Sequence, residues 1–246
     1  APADITLFTH PDIAVPALLA EIESGGPASS AWPDTGGAPG GGVPPVAKQA
    51  GPISMDDLAA CFNAAADDAD KPVTLTRLPF GWPSGAIGFE GPLDYLGRDG
   101  GAGVGSAPGM TVGAALAIRE RGGERLPVTV TGDGEYIMGL TALWTAARYR
   151  LPMLLVVADN HSFYNDVEHQ ERMAKARNRP VENKFIGMEI DGPAMNLAGL
   201  ARDQGLEGIG PIEDVKDLPA ALAEGFKAVA EGKAVVIDVV VVPGRE

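Results

Sequence analysis

The stretch from Val128 to Asn165, VTVTGDGEYIMGLTALWTAARYRLPMLLVVADNHSFYN, constrains the fold of this chain more than any other. A β-rich run, Val128–Thr131, meets Gly132-Asp133-Gly134. A helical segment of about Glu135 to Arg150 follows, and a second apolar run, Met153–Ala158, stops at Asp159-Asn160. Two parallel strands joined by a helix have both carboxyl ends on one edge of the sheet. That topology brings Asp133 and Asn160 together although they lie 27 positions apart. Two oxygen-bearing side chains at neighbouring strand ends suit a hard divalent cation. Mg2+ takes few protein ligands and keeps phosphate oxygens in its shell.

The flanking sequence extends this unit into a domain. Ser54 is a good N-cap, and Asp56 and Asp57 favour the first turn of a helix over Met55–Asp68. Val73–Arg77 reads as the first strand of the main sheet. The segment 78–100 is rich in glycine, proline and aromatics, and a loop of that length is usually a functional or partner-contacting surface. A glycine turn then runs into a small-residue helix reaching Leu116. Further helices are predicted over Asp166–Ala176, Val215–Ala230 and Asp191–Asp203, the last with Pro193 near its first turn. Leu206–Ile212 reads as a weak strand, and Ala234–Val242 as a strand buried on both faces. Alternating strands and helices give a doubly wound α/β fold, a parallel sheet with helices on both faces, over about 54–246.

The first 53 residues differ. Asp4–His10 reads as a strand and Pro11–Glu23 as a helix, with His10 at the turn in a capping or solvent role. One strand and one helix cannot bury their own apolar face, so residues 1–24 read as part of a larger structure. From 25 to 53 the chain has no hydrophobic periodicity and reads as a Gly/Pro-rich linker, with Trp32 available to pin it to a neighbouring surface.

Composition narrows the function. The formal net charge is −14 and no Lys/Arg cluster occurs, which disfavours nucleic acid as a partner. A phosphorylated ligand stays open, because backbone N–H groups and a metal hold phosphate without net positive charge. Cys61 is the single cysteine, so no internal disulfide forms, and its Ala-rich helical setting makes it a small core filler. Trp144, on the central helix, is expected in the core. No apolar run is long enough to span a membrane and no leader pattern opens the sequence, so a cytoplasmic protein is expected. The dinucleotide fingerprint G-x-G-x-x-G fails: Gly101 and Gly103 lead to Ser106, and Gly103 and Gly105 lead to Pro108. Gly232-Lys233 is followed by Ala234, so there is no Walker sequence either.

Gly132-Asp133-Gly134, the helix LTALWTAARYRLP and the strand LLVVADN together resemble the thiamine-diphosphate motif. About residues 54–246 are similar to the C-terminal, diphosphate-binding domain of the acetolactate synthase and benzoylformate decarboxylase group. Residues 1–24 resemble the last strand–helix unit of that family's middle domain. The resemblance implies that Asp133 and Asn160 ligate Mg2+ by side-chain oxygens and Ser162 by its backbone carbonyl. It implies that Gly132, Gly134 and Glu135 hold the terminal phosphate of thiamine diphosphate at a helix start. Val104 takes the bulky position that holds the cofactor bent, and Ala102 or Gly103 offers a carbonyl to the aminopyrimidine. Met110 falls one turn further on, towards the substrate side.

Departures from the family pattern are informative. Asp159-Asn160 stands for the usual Asn-Asn. Glu135 stands where Ser or Ala is common, and a carboxylate beside a diphosphate must point away or meet a cation. The family's activating glutamate belongs to a pyrimidine-binding domain that has no counterpart in this sequence. The resemblance therefore implies a partner domain or subunit, a homo- or hetero-oligomer, and a small-molecule carbonyl substrate. The implied activity is a lyase or transferase that cleaves or forms C–C bonds next to a carbonyl, a 2-oxoacid decarboxylase or a carboligase. The alternatives are the β subunit of a two-subunit 2-oxoacid decarboxylase, and a non-catalytic cofactor-binding module. No catalytic residue is certain. His161 faces either substrate or solvent, and the polar segment from Tyr164 to Arg172 either folds over the site or is a solvated helix. The aromatics from Phe80 to Tyr95 belong to either a substrate loop or an interface.

Overall fold

The structure is a computed structural model that describes residues 8–25, 47–83, 86–89, 91–97 and 103–243. Most of the expected strand at 4–10, most of the 25–53 run including Trp32, and Ala102 lie outside these residues. The chain divides into two units, Ala1–Gly41 and Gly42–Glu246. In the first, α1 (Pro11–Ser24) is capped by His10, whose Nδ1 accepts from the Asp12 N–H at 3.3 Å. No residue of α1 is buried, and Ile13, Leu18 and Ile22 are exposed.

The second unit holds a five-stranded, all-parallel sheet in the order β1-β2-β3-β5-β4. Its strands are β1 (Val73–Arg77), β2 (Leu126–Gly132), β3 (Met153–Asp159), β4 (Glu207–Ile212) and β5 (Ala234–Val240). The three middle strands are almost continuously apolar, as both-face burial requires. On one face α2 (Met55–Asp67) and α8 (Leu218–Ala230) cover Val128, Val130, Leu154, Val156, Val235 and Ile237. Leu58, Phe62 and Cys61 of α2 are buried there. On the other, α3 (Ser106–Glu120), α5 (Leu143–Tyr149) and α7 (Leu197–Asp203) cover Met153, Leu155, Val157 and Val236. The fold is the doubly wound α/β class. Buried hydroxyls also bind α3 to the sheet, with Thr111 Oγ1 lying 3.0 Å from Thr76 Oγ1 and 2.7 Å from Thr129 Oγ1.

Helix α2 begins with a capping box: Ser54 Oγ accepts from the Asp57 N–H at 3.1 Å, and Asp57 Oδ2 accepts from the Ser54 N–H at 3.0 Å. Order starts earlier than Ser54. The Lys48 N–H donates to Asp57, the Gly51 N–H to Asp214, and Ile53 bridges to Val241.

Several predicted elements differ. The segment 135–150 is not one helix: α4 (Asp133–Gly139) stops at Gly139, a 3-10 turn spans Leu140–Ala142, and α5 follows. Helix α7 begins at Leu197 rather than Asp191, because Asn196 is its cap and takes the Gly199 N–H at 2.7 Å. Trp144 is not in the core. α5 turns Leu143 and Ala146 inward and leaves the indole 57% exposed. Among the described residues no helix is long and apolar enough to cross a membrane.

Candidate functional site

The site lies at the carboxyl edge of the sheet. Gly132 pairs with Ala158 in register, so the residues just beyond β2 and β3 are neighbours. Asp133 opens α4, and Asn160 begins the turn that enters α6 (Tyr164–Ala176). The Ser162 N–H joins them, lying 3.0 Å from Asp133 Oδ2 and 3.0 Å from Asn160 Oδ1. The Gly134 N–H donates to Asp133 Oδ1 at 2.7 Å. Asp133, Asn160 and Ser162, the predicted metal ligands, thus converge on one backbone nitrogen.

A cavity of about 750 Å³ opens against this edge. Gly132, Asp133, Gly134, Glu135, Asn160, Ser162 and Val104 all line it. A Cβ on Gly132 would meet nothing within 4 Å, so there is room directly over the strand end. A Cβ on Gly134 would fall 2.2 Å from the Phe163 ring, which needs a glycine at that contact. Val104 is 52% exposed in the turn before α3. Met110 is half-buried and is not part of the lining.

His161 does not line the cavity. Its side chain folds back on Asp159, with Nδ1 to Oδ1 at 3.0 Å, and the backbone N–H donates to the same oxygen at 2.9 Å. Asp159 in place of Asn therefore holds the turn that presents Asn160 and Ser162. Tyr164, Asn165, Asp166 and Glu168 line the cavity, whereas His169, Gln170 and Arg172 do not. The 78–97 segment divides likewise: Phe80 and Gly81 line the cavity, and Tyr95 bridges to Leu75 of β1 with Phe89 stacked on it.

Two site features were not anticipated. Arg77, at the end of β1, lines the cavity and is 4% exposed. Its Nε lies 3.0 Å from Glu135 Oε1, so the carboxylate beside the proposed phosphate position has a cationic partner. The shared carboxyl edge of a parallel sheet was the signal available for Arg77. The second is Asp238, a lone acid inside the apolar run AVVIDVVVV, 2% exposed. Burial, then the charge of Asp159, pushes its carboxyl up to about 7.

Asp133 is held above the usual carboxylate range, first by burial and then by the neighbouring Asp159 carboxyl. Crowded buried carboxylates at a strand edge are the electrostatic setting that a cation relieves. Among the described residues no group of three or more His, Cys, Asp or Glu is arranged to hold a metal. The oxygen donors brought together there are instead the Asp133 carboxylate and the Asn160 amide oxygen. Such a partial set of hard oxygens fits Mg2+ completed by phosphate and water. The residues present therefore fit a Mg2+–diphosphate group.

Residues 80–239 match the family described as thiamine pyrophosphate enzyme, C-terminal TPP binding domain. The chain is 27% identical over 169 residues to benzoylformate decarboxylase of Pseudomonas aeruginosa, covering 68% of this chain and 29% of that protein. It is 29% identical over 109 residues to the pyruvate dehydrogenase E1 component subunit alpha of Bacillus subtilis, covering 42% of this chain and 29% of that protein. Among solved structures, the 4-hydroxybenzoylformate decarboxylase of Rhodococcus jostii RHA1 aligns with a TM-score of 0.64 at 20% identity. That alignment covers 83% of this chain and 35% of the other. The chain thus spans about a third or less of the length of each of these three proteins.

Proposed function

The chain belongs to the thiamine pyrophosphate enzymes by their C-terminal TPP-binding domain, and from this we propose that it is the Mg2+- and diphosphate-holding half of an active site for C–C bond cleavage or formation beside a carbonyl. The observation that carries the reading is the meeting of Asp133 Oδ2 and Asn160 Oδ1 on the Ser162 N–H at the edge of the cavity.

Thiamine diphosphate, when bound, supplies the electron sink for this chemistry. The chain's residues bind and orient. Asp133, Asn160 and the Ser162 carbonyl would hold Mg2+, and the N–H groups of Glu135 and, once released from Asp133 Oδ1, of Gly134, at the start of α4, would bind the terminal phosphate. Val104 would support the bent form of the cofactor, and the Gly103 carbonyl would accept from its aminopyrimidine. His161, engaged by Asp159, keeps the metal-bearing turn in place.

A partner domain or subunit provides the activating glutamate. The exposure of Val104, Met138 and Trp144 supports a partner on the α4–α5 side. In domain terms, the diphosphate-binding domain runs to residue 246 and takes in residues 48–53 ahead of Ser54, the run from 25 up to there is a linker, and 1–24 is the end of a middle domain. Decarboxylation of a 2-oxoacid is the preferred reaction, since two of the relatives are named as decarboxylases of that kind.

Calorimetry tests the reading. Thiamine diphosphate is expected to bind the chain when Mg2+ is present and to lose at least about tenfold in affinity in EDTA. No heat of binding under either condition would sink it.

A further inference from the structure

Glu135 occupies a position where a small residue was expected, and its carboxylate is engaged by α3 and β1. It accepts from the Ala107 N–H at 3.2 Å and lies 3.4 Å from Ser106 Oγ, satisfying the first turn of α3. Arg77 closes the arrangement. Its Nε meets Glu135 Oε1 at 3.0 Å and its NH1 donates to Ser106 Oγ at 2.9 Å. Ser106 Oγ also lies 3.3 Å from the Gly103 carbonyl oxygen. Three elements (β1, α3 and α4) are thus joined by one partly buried network, with Arg77 4% and Glu135 12% exposed.

A buried ion pair adds little net stability compared with neutral side chains of similar shape, because desolvation offsets the attraction. What this one does is geometric. On one side it grips the turn that carries Gly103 and Val104. On the other it grips the first turn of α4, which carries Asp133 and Gly134. The glycine contact of Gly105 against Met138 closes the same junction, since a Cβ on Gly105 would lie 2.9 Å from the Met138 Cβ.

We propose that Arg77, Glu135 and Ser106 are positioning residues that clasp the Gly103–Val104 turn to the diphosphate anchor, so that the chain reads the thiamine portion of the cofactor as well as its phosphates. This rests on the cofactor reading above. It assigns the Glu135 side chain to the spacing of two ligand-binding turns and leaves only its backbone N–H for phosphate.

The test uses the whole chain and two probes, each with saturating Mg2+: thiamine diphosphate and inorganic pyrophosphate. The wild-type chain binds the first more tightly, and the ratio of the two affinities reports the clasp. The double variant Arg77→Met, Glu135→Gln leaves the net charge unchanged. It is expected to bind pyrophosphate within about twofold of wild type and to lose about tenfold for thiamine diphosphate, the scale on which outer positioning groups act. Ser106→Ala, which removes one hydroxyl and no charge, shifts the ratio in the same direction by less, and it decides the matter should the double variant not fold. Affinities for both probes falling together would show a merely structural role and overturn the proposal, as would a ratio unchanged in both variants. A wild-type chain that binds neither probe removes the cofactor reading itself.

Discussion

Asp133→Asn is expected to bind thiamine diphosphate at least about 100-fold more weakly in Mg2+, and to melt higher than the wild-type chain in EDTA. Both effects have one cause. The Asp133 carboxyl is 3% exposed beside Asp159, itself 4% exposed, with two backbone N–H groups as its hydrogen-bond partners. Asparagine keeps an acceptor oxygen for one of those groups, turns its NH2 towards the other, and removes both the buried charge and the charge that Mg2+ requires. The sign of the stability effect follows from linkage. The ordinary carboxyl value is 3.8 and the folded value is higher, so the folded chain binds more protons. The Asp133 contribution to wild-type stability in EDTA therefore falls as pH rises above 3.8 towards the folded value, whereas position 133 of the variant does not titrate there. The gap in melting temperature should open as pH rises through that window, by about 2–4 °C for each kcal/mol involved. Thermal melts across pH and calorimetry at neutral pH measure the two halves. A variant that binds normally would remove Asp133 from the metal site. A stable site would not bury two carboxylates side by side without a use for them.

Gly139→Ala should lower stability by about 1–3 kcal/mol, the range of an overpacked contact, and weaken cofactor binding with it. The backbone at Gly139 (φ −104°, ψ 1°) is open to alanine, so the cost is steric. A Cβ there would lie 2.3 Å from the Gly105 carbonyl oxygen and 2.8 Å from the Pro108 ring. The nearest atom belongs to the backbone, so α3 and α4 must separate, and the Gly103–Val104 turn moves with α3. Gly109→Ala is the control. It lies in α3, a Cβ there meets nothing within 4 Å, and alanine favours a helix over glycine. That variant should be as stable as wild type or slightly more so by chemical denaturation.

How much of this was legible in the sequence depends on the range of the forces involved. The strand ends at Gly132 and Asp159 were readable because an apolar run broken by Gly-Asp-Gly or Asp-Asn is a local signal. The meeting of Asp133 and Asn160 followed from parallel topology alone. The break at Gly139 was not readable, since it is set by the Gly105 carbonyl and Pro108 arriving from another helix. Nor was the Arg77–Glu135 pair, whose partners come from β1 and α4 and meet only once the sheet forms. The exposure of Trp144 was missed for a related reason. Helical periodicity marks an apolar face, but a helix as short as α5 buries only Leu143 and Ala146. The shortened α7 shows a cap overriding a pattern: Asn196 offers its side chain to Gly199 and starts the helix there.

The central claim is that one hard cation sits between Asp133, Asn160 and the Ser162 carbonyl. Crystals of the chain grown with thiamine diphosphate and Mn2+ in place of Mg2+ test it most directly, through the anomalous signal of the metal. A single peak is expected at about 2.1 Å from a carboxylate oxygen of Asp133, the amide oxygen of Asn160 and the carbonyl oxygen of Ser162, with phosphate oxygens completing the shell. A peak on other residues, or none with the cofactor in place, would contradict the account.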